Sequence, residues 1–301
     1  MKIKELGGEF ELIHRIMGKT RSSPDVITGI GDDCAVLRYT DELYLLITTD
    51  MMVENDHFSL KWFTPEQIGM KLMELNVSDI VAMGGRPLYA FLSMSLIHDT
   101  TVEFVDRFFD GFFISAKRHD VILAGGDTTH GTEYVFNCAL IGEVEKNRLR
   151  LRSMACPGDL IAVTGTLGGS TAGLKLLRGG KRGYYLDHLE PHSRSKEEGF
   201  QIARFAHAMI DVSDGLGSEV THIAEQSNTG ARIDYERIPL SESTRESARI
   251  LDCDPHDFAL YGGEDFELVF TITPENAEVL TSVFKDFTVV GEILEKEDGI
   301  F

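Results

Sequence analysis

A chain of 301 residues, 43% hydrophobic and with a formal charge of −20, is long enough for two ordinary domains and a sizeable core. Its acidity argues against nucleic acid and anionic membranes as partners, though not against a phosphorylated substrate held through Mg²⁺. No run of about 18 apolar residues predicts a transmembrane helix, and residues 1–6 lack the apolar segment of a signal peptide. Cys34, Cys138, Cys156 and Cys253 share no metal-ligand spacing, so they read as small buried residues of a reducing cytoplasm.

Residues 9–18 predict a short helix with Phe10, Ile13 and Ile16 on one side. Gly29-Ile30-Gly31-Asp32-Asp33-Cys34 then forms a turn in which glycines allow a sharp bend and two adjacent acids point outward. Strands are expected over 34–37 and 43–49, and Asp50 emerges where the second one ends. Thr64-Pro65-Glu66-Gln67 is a helix start, with a capping Thr, Pro at the first position and Gln three residues after the cap. That helix carries Ile68, Leu72 and Leu75 at helical spacing and stops at Gly84-Gly85. Asn76 and Asp79, three apart, share one of its faces.

A strand over 89–96 follows, then a helix capped at Thr100-Thr101 with a stripe of Phe108, Phe109, Phe112 and Phe113. A short buried strand over 121–124 feeds Gly125-Gly126-Asp127-Thr128-Thr129, and residues 134–144 alternate as a long strand. The first domain is therefore α/β, an antiparallel or mixed sheet with helices on one face. A boundary within 148–157 divides 1–150 from 151–301, a second α/β domain. There, strands are expected at 160–164, 231–235, 266–273 and 287–294, and helices near 170–177, 196–206, 217–226, 241–251 and 275–284.

Acids recur beside Gly, Ser or Thr near Asp33, Asp79, Asp127 and Asp211-Val212-Ser213-Asp214-Gly215. One such turn is ordinary turn chemistry. Four, each adjoining an apolar segment, point to hard cations, because adjacent carboxylates repel unless cations join them. The common phosphate-binding patterns fail. Gly179-Gly180-Lys181-Arg182 lacks the remainder of a P-loop, no dinucleotide fingerprint fits, and His119-Asp120 lacks the context of a kinase catalytic loop. An acidic, cation-rich site with glycine turns suits phosphoryl transfer by positioning and charge neutralisation.

Six motifs occur in order: Gly29-Ile30-Gly31-Asp32-Asp33, Thr48-Thr49-Asp50, Asn76-Val77-Ser78-Asp79-Ile80, Gly125-Gly126-Asp127-Thr128-Thr129, Asp211-Val212-Ser213-Asp214-Gly215-Leu216 and Gly262-Gly263-Glu264-Asp265-Phe266-Glu267-Leu268. From residue 8 to about 291 the chain resembles the thiamine-monophosphate kinase family of the aminoimidazole-ribonucleotide synthetase superfamily. The resemblance implies that superfamily's two-domain fold. It also implies ATP-dependent phosphorylation of thiamine monophosphate to thiamine diphosphate by direct transfer, without a covalent intermediate, and a homodimer whose first-domain sheets meet in a barrel-like interface. By the same resemblance, Asp33, Thr48, Thr49, Asp50, Asp79, Asp127 and Asp211 hold several Mg²⁺ ions, with Asp214 on a further one. Gly126, Asp127, Arg152, Ser213 and Phe109 contact ATP, and His57 and Glu264 face thiamine monophosphate.

Each assignment has a plainer counterpart. His57 by itself is a loop histidine, Glu264 a turn cap, Arg152 one of several strand charges, Asp32 structural, and Asp265 a turn acid. The family's substrate-packing aromatic near the C-terminus is expected to be missing or replaced in a sequence ending at Phe301. Two alternatives stand beside the kinase: a sister ATPase acting on another small phosphorylated or amidated substrate, and an idle nucleotide- or metal-binding subunit. Selenophosphate synthesis and hydrogenase maturation are disfavoured. There is no reactive Cys or Lys in an N-terminal Gly-rich segment, and no Cys at the end of the chain.

Overall fold

The computed structural model describes residues 8–301, so the reading of residues 1–6 and the side chain of Phe10 lie outside the described residues. Two sheets organise the molecule. The first contains β1 (Val26–Thr28), β2 (Ala35–Arg38), β3 (Leu43–Val53), β4 (Arg86–Ile97), β5 (Ile122–Gly131) and β6 (Val135–Glu145), in the order β1-β2-β3-β6-β4-β5. All its neighbours pair antiparallel except β4 and β5, which run parallel, so the sheet is mixed. The second contains β7 (Leu160–Thr164), β8 (Met209–Asp211), β9 (Gly230–Ile233), β10 (Leu268–Ile272) and β11 (Phe287–Leu294), in the order β8-β10-β7-β11-β9 and antiparallel throughout.

Helix α1 (Glu9–Met17) lies near the N-terminus, with Ile13 half-buried and Ile16 exposed. One face of the first sheet is covered by α2 (Pro65–Ala82) and α3 (Val102–Arg118). Helix α2 starts where expected, with Thr64 accepting from the Gln67 amide and the Gln67 side chain accepting from the Thr64 amide. Such a reciprocal cap stabilises a helix by about 1 kcal/mol. Helices α2 and α3 cross closely because Gly69 faces the Phe108 backbone and Gly111 the Glu66 backbone. A Cβ at either position would collide with main chain. The core beneath them, including Ile68, Leu72, Val77, Phe108, Phe112 and Phe136, also takes in Ala162, Met209, Leu268 and Phe270 of the second sheet. The two halves therefore share one packed interior.

Several expectations need correction. The strand expected at 121–124 is neither short nor buried. It runs ten residues as β5, is almost wholly exposed, and carries the Gly125-Gly126-Asp127 motif within it rather than in a turn after it. Strand β8 was not foreseen, because three residues are too few to show a period. Of the cysteines, Cys34 and Cys138 are buried but Cys156 and Cys253 are exposed. No helix among the described residues is long and apolar enough to cross a membrane.

The opposite face of the first sheet is bare. Met51, Tyr89, Phe91 and Ile122 project from it, each at least two-fifths exposed (54%, 45%, 40% and 61%). Along β3 the alternation is clear: Leu46, Thr48 and Met52 are buried toward the helices, while Thr49 and Met51 are exposed on the other side.

Candidate active site

The acidic centre forms where the two halves meet. Asp33 comes from the turn before β2, Asp79 from the last turn of α2, and Asp211 from the end of β8. Their carboxylate oxygens lie within 4.8 Å of one another. Thr48 on β3 donates its hydroxyl to Asp79, and Ser78 donates to Asp211 at 2.6 Å. Helix α2 thus offers adjacent residues to both halves of the molecule, Asp79 to the first sheet and Ser78 to the second.

The electrostatics are strained. Burial, then the charges of Asp50, Asp211 and Asp33, raises Asp79 well above the usual carboxylate range. Burial and then Asp33 raise Asp211 in the same way. Burial also raises Asp33 and Asp50, against the opposing influence of Arg152 on the first and His57 on the second. Asp32 is pushed up to about 7 by burial and by Asp33. Repulsion of this kind is what a divalent cation relieves.

Arg152, in the single turn Arg152–Met154 that links the two sheets, is a cation set among these acids. Burial works against its charge, but Asp33 and then Asp32 more than restore it. Its guanidinium is ion-paired with Asp33, its backbone amide donates to Asp32 at 3.2 Å, and it is not a solvated strand charge. Asp32 is structural in part, since it also caps the Asp33 amide at 3.1 Å. Two buried polar atoms here have no hydrogen-bond partner, Asp33 Oδ2 and Arg152 Nε, the latter 3.8 Å from Asp32 Oδ1. One calls for a cation, the other for an anion. An orphaned carboxylate oxygen among crowded carboxylates, all of them hard donors, fits Mg²⁺.

Two motifs of the second half are pressed together beside this centre. The Glu264 amide donates to the Ser213 carbonyl at 2.9 Å, and the Phe266 amide to that of Val212 at 3.1 Å. Gly263 is obligatory there, because a Cβ would run into the Ser213 carbonyl. Glu264 itself adopts a left-handed backbone (φ 65°), costly for a non-glycine residue and typical of functional sites. Ser213 and Asp214 are exposed, and their amides are held by Glu219 at 3.2 and 2.8 Å. Burial pushes Glu219 up to about 7.

Glu264 and His57 line the same cavity, about 330 Å³ in volume, together with Trp62, Phe63, Lys61, Arg178 and His188. A cavity of that size suits a small molecule. The sequence reading missed the partner that holds Glu264: fully buried Lys71, whose ammonium lies 2.6 Å from Glu264 Oε1 and donates to the His57 carbonyl at 3.1 Å. His188 approaches the other oxygen at 3.4 Å. Burial alone would raise Glu264, but Lys71 and His188 outweigh it and hold the carboxyl at about 2. The signal was present, since Lys71 sits on the apolar stripe of α2 between Ile68 and Leu72. Glu264 is therefore not a free turn cap, and Asp265 is a helix cap, accepting from the amides of Gly168 and Ser170 at 2.6 and 3.2 Å.

Four expected residues, Thr49, Gly126, Asp127 and Phe109, are not brought to the acidic centre by this chain. The Thr49 hydroxyl points to the bare sheet face and pairs with Asn137, because strand alternation sends Thr48 and Thr49 to opposite sides. Gly126 stands opposite Leu92, itself opposite Cys138 and then Asp50, so three strand spacings, about 14 Å, separate it from Asp50. Asp127 shares its row with Ser93, Asn137 and Met51 on the bare face, and is exposed. Phe109 is half-buried and packs against Phe108, Phe112 and Phe113.

Comparison with known proteins agrees with this geometry. Residues 31–144 match the model of the AIR synthase related protein, N-terminal domain, and residues 156–301 that of the AIR synthase related protein, C-terminal domain. The thiamine-monophosphate kinase of Pyrococcus horikoshii is 37% identical over 274 residues, covering 90% of this chain and 85% of the relative. That of Haemophilus influenzae is 38% identical over 301 residues, covering 96% and 90%. Among solved structures, AaThiL complexed with AMPPCP and TMP superposes with a TM-score of 0.90 at 35% identity, over 100% of this chain and 94% of that one. With the acids of the first half, the paired motifs of the second and near full-length similarity in agreement, the chain belongs to the AIR synthase related protein family, on its thiamine-monophosphate kinase branch.

Proposed function

We propose that this protein is a thiamine-phosphate kinase, transferring the terminal phosphoryl group of ATP to thiamine monophosphate to give thiamine diphosphate. The observation that carries the reading is the convergence of Asp33, Asp79 and Asp211 beside Arg152, next to the cavity that Glu264 and His57 share. The names of the relatives, and the AMPPCP and TMP of the AaThiL complex, support ATP and thiamine monophosphate as the two substrates.

Asp33, Asp79 and Asp211 are the residues that would hold Mg²⁺, with Asp50 and Thr48 beside them and Asp214 at the exposed rim. Bound there, Mg²⁺ would neutralise the phosphates of donor and acceptor, which otherwise repel each other. The chain's own contribution is positioning. Arg152 Nε, buried and without a hydrogen-bond partner, is a donor in reserve for a phosphate oxygen, and Ser213 is exposed. Lys71 fixes the Glu264 carboxylate at the cavity wall, where it accepts a hydrogen bond from the aminopyrimidine or lies near the thiazolium. Trp62 and Phe63 supply apolar surface for the rings, and Lys61 and Arg178 supply charge for the acceptor's phosphate.

The bare sheet face supports a homodimer. An apolar sheet face and a long unpaired edge strand rarely stay exposed in a stable monomer. Since Asp127 lies on that side, a role of Asp127 with metal or nucleotide fits a second copy seated there. We divide the domains at 150/151, just before Arg152, and the free thiols fit a cytoplasmic enzyme. The direct test is ADP release from ATP and Mg²⁺ with and without thiamine monophosphate. Release that depends on the acceptor supports the kinase, while nucleotide binding without turnover would make the chain an idle subunit.

A further inference from the structure

We propose that Cys156, Asp159 and His207 form a second cation site, far softer in character than the acidic centre, that takes a thiophilic divalent transition metal of the Zn²⁺ type. Their ligand atoms, one thiol sulfur, one carboxylate oxygen and one imidazole nitrogen, lie within 4.8 Å of one another. The His207 ring nitrogen Nδ1 stands 2.9 and 3.0 Å from the two Asp159 oxygens. Around a tetrahedral Zn²⁺, bond lengths of 2.0–2.3 Å put neighbouring ligand atoms about 3.5 Å apart. The imidazole–carboxylate pair is already that close, and rotation of one exposed thiol completes the third edge.

Backbone bonds hold the three donors in place before any metal arrives. Cys156-Pro157-Gly158-Asp159 is a turn closed from both sides, by the Asp159 amide to the Cys156 carbonyl at 3.0 Å and by the Cys156 amide to Asp159 Oδ2 at 2.9 Å. Gly158 supplies the left-handed residue (φ 90°) that the turn needs. The turn is tied to β11 through the Gly158 amide to Ile293 and the Ile293 amide to Asp159, both at 2.8 Å. The His207 amide donates to the carbonyl of Thr271 in β10 at 2.8 Å. Asp159 is only 3% exposed, whereas the thiol and the imidazole (37% exposed) face solvent. A buried carboxylate backed by two accessible ligands leaves a fourth position open to water. The thiol and imidazole select a borderline metal over Mg²⁺, which the all-oxygen acidic centre suits instead. The two sites also sit apart, since His207 lies just before β8 and Asp211 at its far end, about 13 Å along an extended chain.

The test uses full-length protein, stripped of metal under reducing conditions and titrated with Co²⁺ as a coloured substitute for Zn²⁺. One equivalent should produce a thiolate-to-cobalt charge-transfer band that added Zn²⁺ abolishes. Cys156→Ser should remove the band and Cys253→Ser should keep it. His207→Gln, which leaves the turn intact, should weaken Co²⁺ binding roughly tenfold or more. Absence of the band in the unmodified protein, its survival in Cys156→Ser, or unchanged affinity in His207→Gln would overturn the proposal. The last measurement decides the matter if Cys156→Ser folds poorly.

Discussion

Residue by residue, the acids whose titration the fold displaces include two groups with opposite effects on stability. Glu264 and Glu74 are held at about 2, below the ordinary 4.5, the first by Lys71 and His188 and the second by His119, Ser115 and Ser193, in each case against burial. Their contribution is complete above 4.5 and disappears as pH falls from there toward 2. Asp79, Asp211 and Asp33 lie above their ordinary 3.8, and Asp32 and Glu219 reach about 7. The folded state therefore binds protons more tightly at these groups, and stability falls as pH rises from about 4 through 7. The metal-free protein should accordingly show its highest melting temperature near about pH 5 and a decline toward pH 8. Mg²⁺ with a non-hydrolysable ATP analogue should remove that decline by linkage. Asp79→Asn should flatten the metal-free profile while abolishing turnover, and a mutant with near-normal activity and an unchanged profile would make Asp79 a bystander. Glu264→Gln belongs to the other group. Losing a charge-assisted hydrogen bond costs on the order of 1.5–3 kcal/mol, or roughly 10- to 150-fold in binding. The Michaelis constant for thiamine monophosphate should rise by that order and the one for ATP should stay put. The reverse pattern would misplace the acceptor pocket.

Among the elements, α2 was the most legible and β5 the least, and the reasons are physical. Helix α2 announces itself locally, through Thr64-Pro65-Glu66-Gln67 at its start and glycines after its end, so its course and the place of Asp79 on it follow from short-range chemistry. What the sequence did not disclose was the use of its buried polar residues. Lys71 reaches Glu264, and Glu74 receives Ser115 at 2.5 Å, His119 at 3.1 Å and the Ser193 amide at 2.9 Å. Those partners lie between 41 and 193 residues away, beyond any periodicity. Strand β5 misled for the opposite reason. Gly125-Gly126 reads as a turn, yet Gly126 is needed because β4 passes so close that a Cβ would strike the Leu92 carbonyl. Close strand approach and a sharp bend ask for the same residue. The motif's acid was legible, but its side of the sheet was not.

At the scale of the whole molecule, the bare face of the first sheet and the acidic centre at the junction of the two halves are the features that a lone, metal-free chain leaves unbalanced. Phe91→Glu or Met51→Glu, placed on the exposed face, should convert a dimer to monomers by light scattering at micromolar concentration. A monomeric parent protein would contradict the dimer. The acidic centre has a more direct test in phosphorus NMR of the purified enzyme with ATP, Mg²⁺ and thiamine monophosphate. Thiamine diphosphate should appear in step with ADP, and a chelator should stop both. Release of ADP with inorganic phosphate, and no thiamine diphosphate, would contradict the account.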